Sequence, residues 1–201
     1  MKSIVKILAC IIVMAMAFAS CKNEINGHEY VDLGLPSGLK WATCNIGADT
    51  PEAFGNYYSW GEIKTKPEYL GYNWKTNNVY MRDVSGNPNY DAATANWGST
   101  WRMPTTAEIE ELMTNCTCTE AAQNGVRGLL VTGKNGKSIF FPEAGKGGYG
   151  YISGGRYWSS TPEYGVHAYA FVFYDAVYPD SVCYLSLNYR FAGFPVRPVS
   201  D

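Results

Sequence analysis

Charge is scarce in this chain. Asp, Glu, Lys and Arg make up 17% of its 201 residues, and 16 basic against 18 acidic side chains leave a net charge of −2. No run of one sign occurs, so the basic face that nucleic-acid binding requires is not expected. Histidine is limited to His28 and His167. No Gly-x-Ser-x-Gly elbow, His-Glu-x-x-His pair or Walker loop is present. Gly145-Lys146-Gly147-Gly148 lacks the phosphate-loop spacing and reads as a flexible loop. Asp175 and Asp180 form no Asp-x-Asp ligand string, so no calcium site is expected. The sequence therefore predicts no catalytic residue, no metal and no other cofactor, and a protein that is not an enzyme. Internal repeats are also lacking. What remains is 46% hydrophobic residues, enough for a core at a length that suits one domain. Aromatics reach 15%, with 16 Tyr beside 21 Gly, a balance that favours β-rich structure and contact surfaces.

The longest apolar run, Ile7 to Phe18, is too short for a comfortable membrane span. Lys2 and Lys6 precede it, and Ala19, Ser20 and Cys21 follow. This order predicts a secretory signal over residues 1–20. Cys21 behind Phe18-Ala19-Ser20 resembles a bacterial lipobox, with Phe18 where Leu is usual. The resemblance implies that Cys21 is acylated and anchors the chain to a membrane of the cell envelope, the outer membrane being expected, with 21–27 as a tether and the domain over 28–201. Loss of the signal leaves 14 basic and 18 acidic residues, a net −4. Cys44, Cys116, Cys118 and Cys183 remain, and four cysteines allow three pairings. Export permits disulfides. Cys116 and Cys118 flank one residue and pair poorly with each other, so a Cys44–Cys116 bridge is expected. Zinc is disfavoured by the Cys-x-Cys spacing.

Turn signals are dense and the segments between them short. Tyr30–Leu33 and Leu39–Thr43 read as strands. Gly128–Thr132 and Ser138–Phe141 flank Asn135-Gly136, a hairpin signal. Two helices are expected: a short one over Ala92–Trp97, and one over Pro104–Met113. In the second, Thr105 and Glu108 have capping-box spacing, and Ile109, Leu112 and Met113 form the buried stripe. Glu108, Glu110 and Glu111 read as an exposed helix face. Near the C-terminus, Tyr169, Phe171 and Phe173 alternate with Ala170, Val172 and Tyr174, and Leu185 and Leu187 alternate with Tyr184, Ser186 and Asn188. The period of two predicts Phe171, Phe173, Leu185 and Leu187 inward and the alternate set outward. The fold class is α+β, with short twisted antiparallel strands, two helices and long loops.

Five motifs carry a wider resemblance. They are Tyr30-Val31-Asp32-Leu33-Gly34-Leu35-Pro36-Ser37-Gly38-Leu39-Lys40-Trp41-Ala42-Thr43-Cys44-Asn45-Ile46-Gly47-Ala48, Tyr58-Ser59-Trp60-Gly61-Glu62, Trp101-Arg102-Met103-Pro104-Thr105, Tyr157-Trp158-Ser159-Ser160-Thr161 and Val196-Arg197-Pro198-Val199. In this order, from Gly27 to Val199, they resemble the Fibrobacter-type major paralogous (FISUMP) domain of Bacteroidales lipoproteins. The resemblance implies a C-type-lectin-like fold with a ligand surface on its late strands and loops, and no motif of the related formylglycine-generating enzymes maps onto this chain. Trp41, Trp60, Trp101 and Trp158 lie in these motifs and read as core.

Some C-type-lectin-like domains are diversified by adenine-directed mutagenesis of AAY codons, which cannot yield Lys, Glu, Gln, Met or Trp. Residues 165–194 contain none of these five, whereas residues 1–164 contain 34. At that frequency about six are expected in thirty residues. A diversified face and an ordinary solvated sheet face both account for the depletion, since strands disfavour Lys and Glu in any case. The candidate ligand-binding residues are His167, Ala170, Val172, Tyr174, Asp175, Tyr178, Tyr184, Ser186, Asn188, Tyr189 and Phe191. The expected function is a ligand-binding, adhesin- or receptor-type lipoprotein with a protein or glycan ligand. The alternative is an envelope assembly component with a fixed protein partner, and the third and least favoured reading is an enzyme of the formylglycine-generating type.

Overall fold

The computed structural model describes residues 23–76, 81–145, 154–174 and 182–201. The expected signal over residues 1–20, Cys21, Asp175 and Tyr178 lie outside the described residues. In chain order the elements are β1 (Glu24–Ile25), β2 (His28–Asp32), β3 (Lys40–Ala42), α1 (Ala92–Trp97), α2 (Thr106–Asn115), β4 (Cys116–Gln123), β5 (Val126–Gly133), β6 (Ser138–Pro142), β7 (Gly155–Pro162), β8 (His167–Phe173), β9 (Cys183–Tyr189) and β10 (Val199–Ser200). The strands form three antiparallel sheets, β1-β2-β3-β10, β4-β5-β6 and β7-β8-β9. With two helices beside them, this is an α+β architecture dominated by strands.

Local chemistry explains most of these elements. Thr105 caps α2: its hydroxyl accepts the Glu108 amide while the Glu108 carboxylate accepts the Thr105 amide at 2.8 Å. Glu108 also holds the Arg102 guanidinium at 2.6 and 2.9 Å, so it is not a free surface charge. Asp91 caps α1, accepting the Ala93 and Thr94 amides, and reaches back to the Gly86 and Met103 amides. One buried carboxylate thereby closes a loop and starts a helix. The β5–β6 hairpin turns at Asn135-Gly136 as expected, with Gly136 at φ +81°. The β4–β5 hairpin turns at Asn124-Gly125, both in the left-handed region at φ +48° and +83°, the demand of a type I′ turn.

Two apolar clusters fill the interior. The first joins Leu33, Trp41, Ile109, Leu112, Val131, Phe141, Phe171 and Phe173. The second joins Tyr58, Trp60, Met103, Trp158, Ala168, Ala170, Val172 and Phe194. All four framework tryptophans Trp41, Trp60, Trp101 and Trp158 are at most 1% exposed, as the motif reading expects. The central strand β8 lies between the clusters, Phe171 and Phe173 facing one and Ala168, Ala170 and Val172 the other. This corrects the expected outward face of β8: Ala170 and Val172 are core. Alternation reveals that a strand has two faces, but a middle strand covered on both sides keeps neither for solvent.

The expected Cys44–Cys116 bridge also needs correction. All four described cysteines are free. Cys44 follows β3 within the electrostatic reach of Arg197, while Cys116 opens β4 against the first cluster. Cys118 and Cys183 pack half-buried against the same cluster as Cys116.

Candidate functional site

The surface of the β7-β8-β9 sheet stands out by where its apolar side chains lie. Among the described residues, seven large hydrophobic side chains are exposed, and five of them fall between residues 164 and 189: Tyr164, Val166, Val182, Leu187 and Tyr189. Strand β9 is the edge of its sheet, and its residues pair only with β8 among the described strands. Leu187 was expected inward on the Phe171 face, yet it is 47% exposed. The cause is the limited reach of the core. Cys183 and Leu185 pack on the first cluster beneath α2, whereas Leu187 and Tyr189, farther along the same strand face, extend beyond it.

An aromatic row results. Tyr189 is the cross-strand partner of His167, with ring centroids 4.6 Å apart. On its other side Tyr189 stacks on Phe191 at 5.1 Å and an interplanar angle of 17°. Tyr189 is the exposed member, 51% accessible, and His167 and Phe191 are half-buried beside it. Leu187 pairs across the ladder with Tyr169, whose hydroxyl donates to Glu163 at 2.8 Å. That hydrogen bond to the carboxylate raises the Tyr169 phenol and lowers Glu163, so both keep their usual charge states near neutral pH.

Arg190 positions this row. Its Nε donates to the His167 carbonyl at 2.9 Å and its Nη2 to the Glu163 carbonyl at 2.8 Å, while its backbone N–H donates to the Val166 carbonyl. The guanidinium lies 4.5 Å over the Trp60 ring, and the side chain is buried. The turn carrying Tyr164 is thus tied to the end of β9. The Tyr58–Glu62 motif holds the same segment: the Trp60 amide donates to the Arg190 carbonyl and Ser59 Oγ donates to the Phe191 carbonyl. Sequence reasoning missed Arg190. The available signal was that it is the only Lys or Arg between residues 157 and 196.

The remaining candidates fall elsewhere. Tyr174 is half-buried against the first cluster at φ +52°, and burial pushes its phenol up to about 12. Tyr184 packs against the second cluster, and Ser186 and Asn188 are half-buried on its strand face. Of the described candidates, the structure therefore gathers His167, Tyr189 and Phe191, adds Leu187, Tyr164 and Arg190, and removes Ala170 and Val172.

Among the described residues, two larger cavities lie outside this surface. One, of about 310 Å³, is lined by Glu62, Lys64, Lys66 and Lys75, where Glu62 already accepts from the Lys66 ammonium at 3.0 Å and the Lys75 amide at 2.8 Å. The other, of about 360 Å³, is lined by Glu24, His28, Glu29, Cys44, Asp49 and Trp97. There His28 stacks on Trp97 at 3.7 Å, and burial lowers its pKa. Among the described residues, no three His, Cys, Asp or Glu side chains gather in a metal-holding arrangement, and no described helix is long and apolar enough to cross a membrane. No protein-family model, no curated protein and no solved structure matches this chain.

Proposed function

We propose that this protein is a lipid-anchored cell-envelope lipoprotein, held through Cys21, whose domain binds a protein or glycan ligand with the aromatic surface of its late strands. The observation that carries this reading is the gathering of exposed apolar side chains around β8 and β9. Tyr189, stacked on Phe191 and flanked by His167 and Leu187, offers a large, pre-ordered contact area with polar tips. Arg190 and Trp60 hold the row in place before a ligand arrives, which limits the ordering cost of binding. The motif resemblance to FISUMP domains and the C-type-lectin-like fold it implies favour the same late segment, and in this reading the face is open to codon diversification. No catalytic step is assigned to it.

An array of immobilised glycans probed with the purified domain, residues 22–201, tests the proposal. Tyr189→Ala and Leu187→Ala should each weaken a bound glycan about fivefold or more, corresponding to ~1 kcal/mol at a contact anchor. Their melting temperatures should stay near that of the parent, since both side chains are exposed. Binding that both substitutions leave unchanged removes this surface as the site. An array with no bound glycan favours the second reading, a fixed envelope protein partner. That reading draws on β9 as the last strand of its sheet among the described residues, an edge position that fits strand addition by another chain.

A further inference from the structure

We propose that the cavity beside the Tyr58–Glu62 motif is a second binding site, which takes a sugar acid such as a hexuronate unit of an acidic glycan. It is separate from the β8–β9 surface and does not rest on that reading. Three short segments wall it: 61–66, 75–76 and 89–90, the last leading into α1. Its volume of about 310 Å³ is at the lower end of the ~300–1,000 Å³ of small-molecule pockets, which suits one or two sugar rings. The fold holds the walls in place. Thr76 Oγ1 donates to the Trp60 carbonyl at 3.2 Å, Asn96 Nδ2 of α1 to the Ile63 carbonyl at 3.3 Å, and the Tyr90 amide to the Asn87 carbonyl at 3.0 Å. Glu62 and Thr76 are buried.

Charge selects an anion. In a chain poor in charge, three of the ten lysines, Lys64, Lys66 and Lys75, line this one cavity against a single carboxylate, Glu62. Lys66 is fixed: its ammonium donates to Glu62 Oε1 at 3.0 Å and to the Asn73 carbonyl at 3.1 Å, which uses two of its three donors. Lys64 and Lys75 are exposed, and neither ammonium meets a carboxylate among the described residues. Glu62 narrows the choice further. Its Oε1 accepts both the Lys66 ammonium and the Lys75 amide, whereas its Oε2 accepts from no group among the described residues. In a side chain only 8% exposed, that oxygen calls for a donor. A bare sulfate or phosphate has no hydroxyl to offer it and is repelled by its charge. A sugar acid meets both demands: ring hydroxyls donate to Glu62, and the sugar carboxylate pairs with the Lys64 and Lys75 ammonium groups. Tyr90, half-buried against the second cluster, supplies an aromatic wall for the C–H face of the ring.

The experiment is saturation-transfer NMR of the purified full chain with glucuronate and, separately, galacturonate at millimolar concentration. At least one uronate should take up saturation, glucose at the same concentration should take up far less, and an equal concentration of inorganic sulfate should not displace the uronate. Raised salt should weaken the binding, since the ion pairs are partly exposed. Lys64→Gln and Lys75→Gln should each weaken it roughly two- to fivefold, as for the loss of one such pair, and leave the melting temperature near that of the parent. Lys137→Gln, an exposed lysine on the β5–β6 turn, should leave it unchanged. Saturation of neither uronate, equal saturation of glucose, full displacement by sulfate, or uronate binding that survives both cavity substitutions would each overturn the proposal.

Discussion

Arg197 is a buried cation whose hydrogen-bond acceptors among the described residues are all neutral, which makes its replacement informative. The side chain is 1% exposed, and its guanidinium lies 4.7 Å from the Phe141 ring centre. Nε donates to Asn45 Oδ1 at 2.8 Å, Nη1 to the Ala42 and Thr43 carbonyls at 3.2 and 2.8 Å, and Nη2 to the Phe140 carbonyl at 3.0 Å. One side chain thus ties the end of β3 to β6 from the closing Val196–Val199 segment. Arg197→Met keeps much of the volume and removes every donor. Each buried acceptor left without its donor costs about 1–3 kcal/mol. Removal of the buried charge recovers part of this, because desolvating an ion costs several kcal/mol. The expected net loss is about 3–5 kcal/mol, read by urea denaturation of the purified domain, with a fall in Tm of roughly 6–20 °C for a domain of this size. Arg197→Lys should lie between, since an ammonium supplies three donors but not the planar fork. A Met variant within about 1 kcal/mol of the parent would refute the reasoning and show that these carbonyls need no donor.

Three further outcomes are expected. Cys21→Ser should abolish acylation and release the chain from membranes, read by fractionation and by the mass of the N-terminal peptide; unchanged fractionation would reject the anchor. Val172→Asp should unfold or severely destabilise the domain, by several kcal/mol for a charge buried between sheet and core, while Ser186→Asp should cost under about 1 kcal/mol, so equal losses in thermal melts would show the assigned faces to be wrong. His28 has a pKa lowered by burial, so the unfolded chain takes up its proton more readily; its contribution is present above the unfolded value near 6.5 and is lost as pH falls from there through the lower folded value. His28→Gln should accordingly flatten the acid limb of the stability profile between about pH 7 and 5, and an unchanged slope would contradict this.

What the sequence determined by itself was local. The capping box at Thr105 and Glu108, the turn at Asn135-Gly136, the extent of α1 and the burial of four motif tryptophans all follow from neighbours a few residues apart or from side chains too large and apolar to leave in water. Strand β4 escaped notice because Cys116–Gln123 has little apolar alternation; its place comes from pairing with β5. The proposed signal and anchor likewise rest on the order of residues 1–21 alone.

Tertiary structure alone decided which strand faces meet water. Ala170 and Leu187 are cases in point. Period-two alternation put Ala170 outside and Leu187 inside, but β8 is sandwiched between two clusters and the end of β9 runs past the core, so the reverse holds. Arg190 is another, since its importance depends on the Trp60 ring and the Glu163 and His167 carbonyls, which are distant or across a turn in sequence. Periodicity encodes that a strand has two sides, whereas burial depends on what other segments lay over each side, and those long-range contacts exist only once the chain has folded.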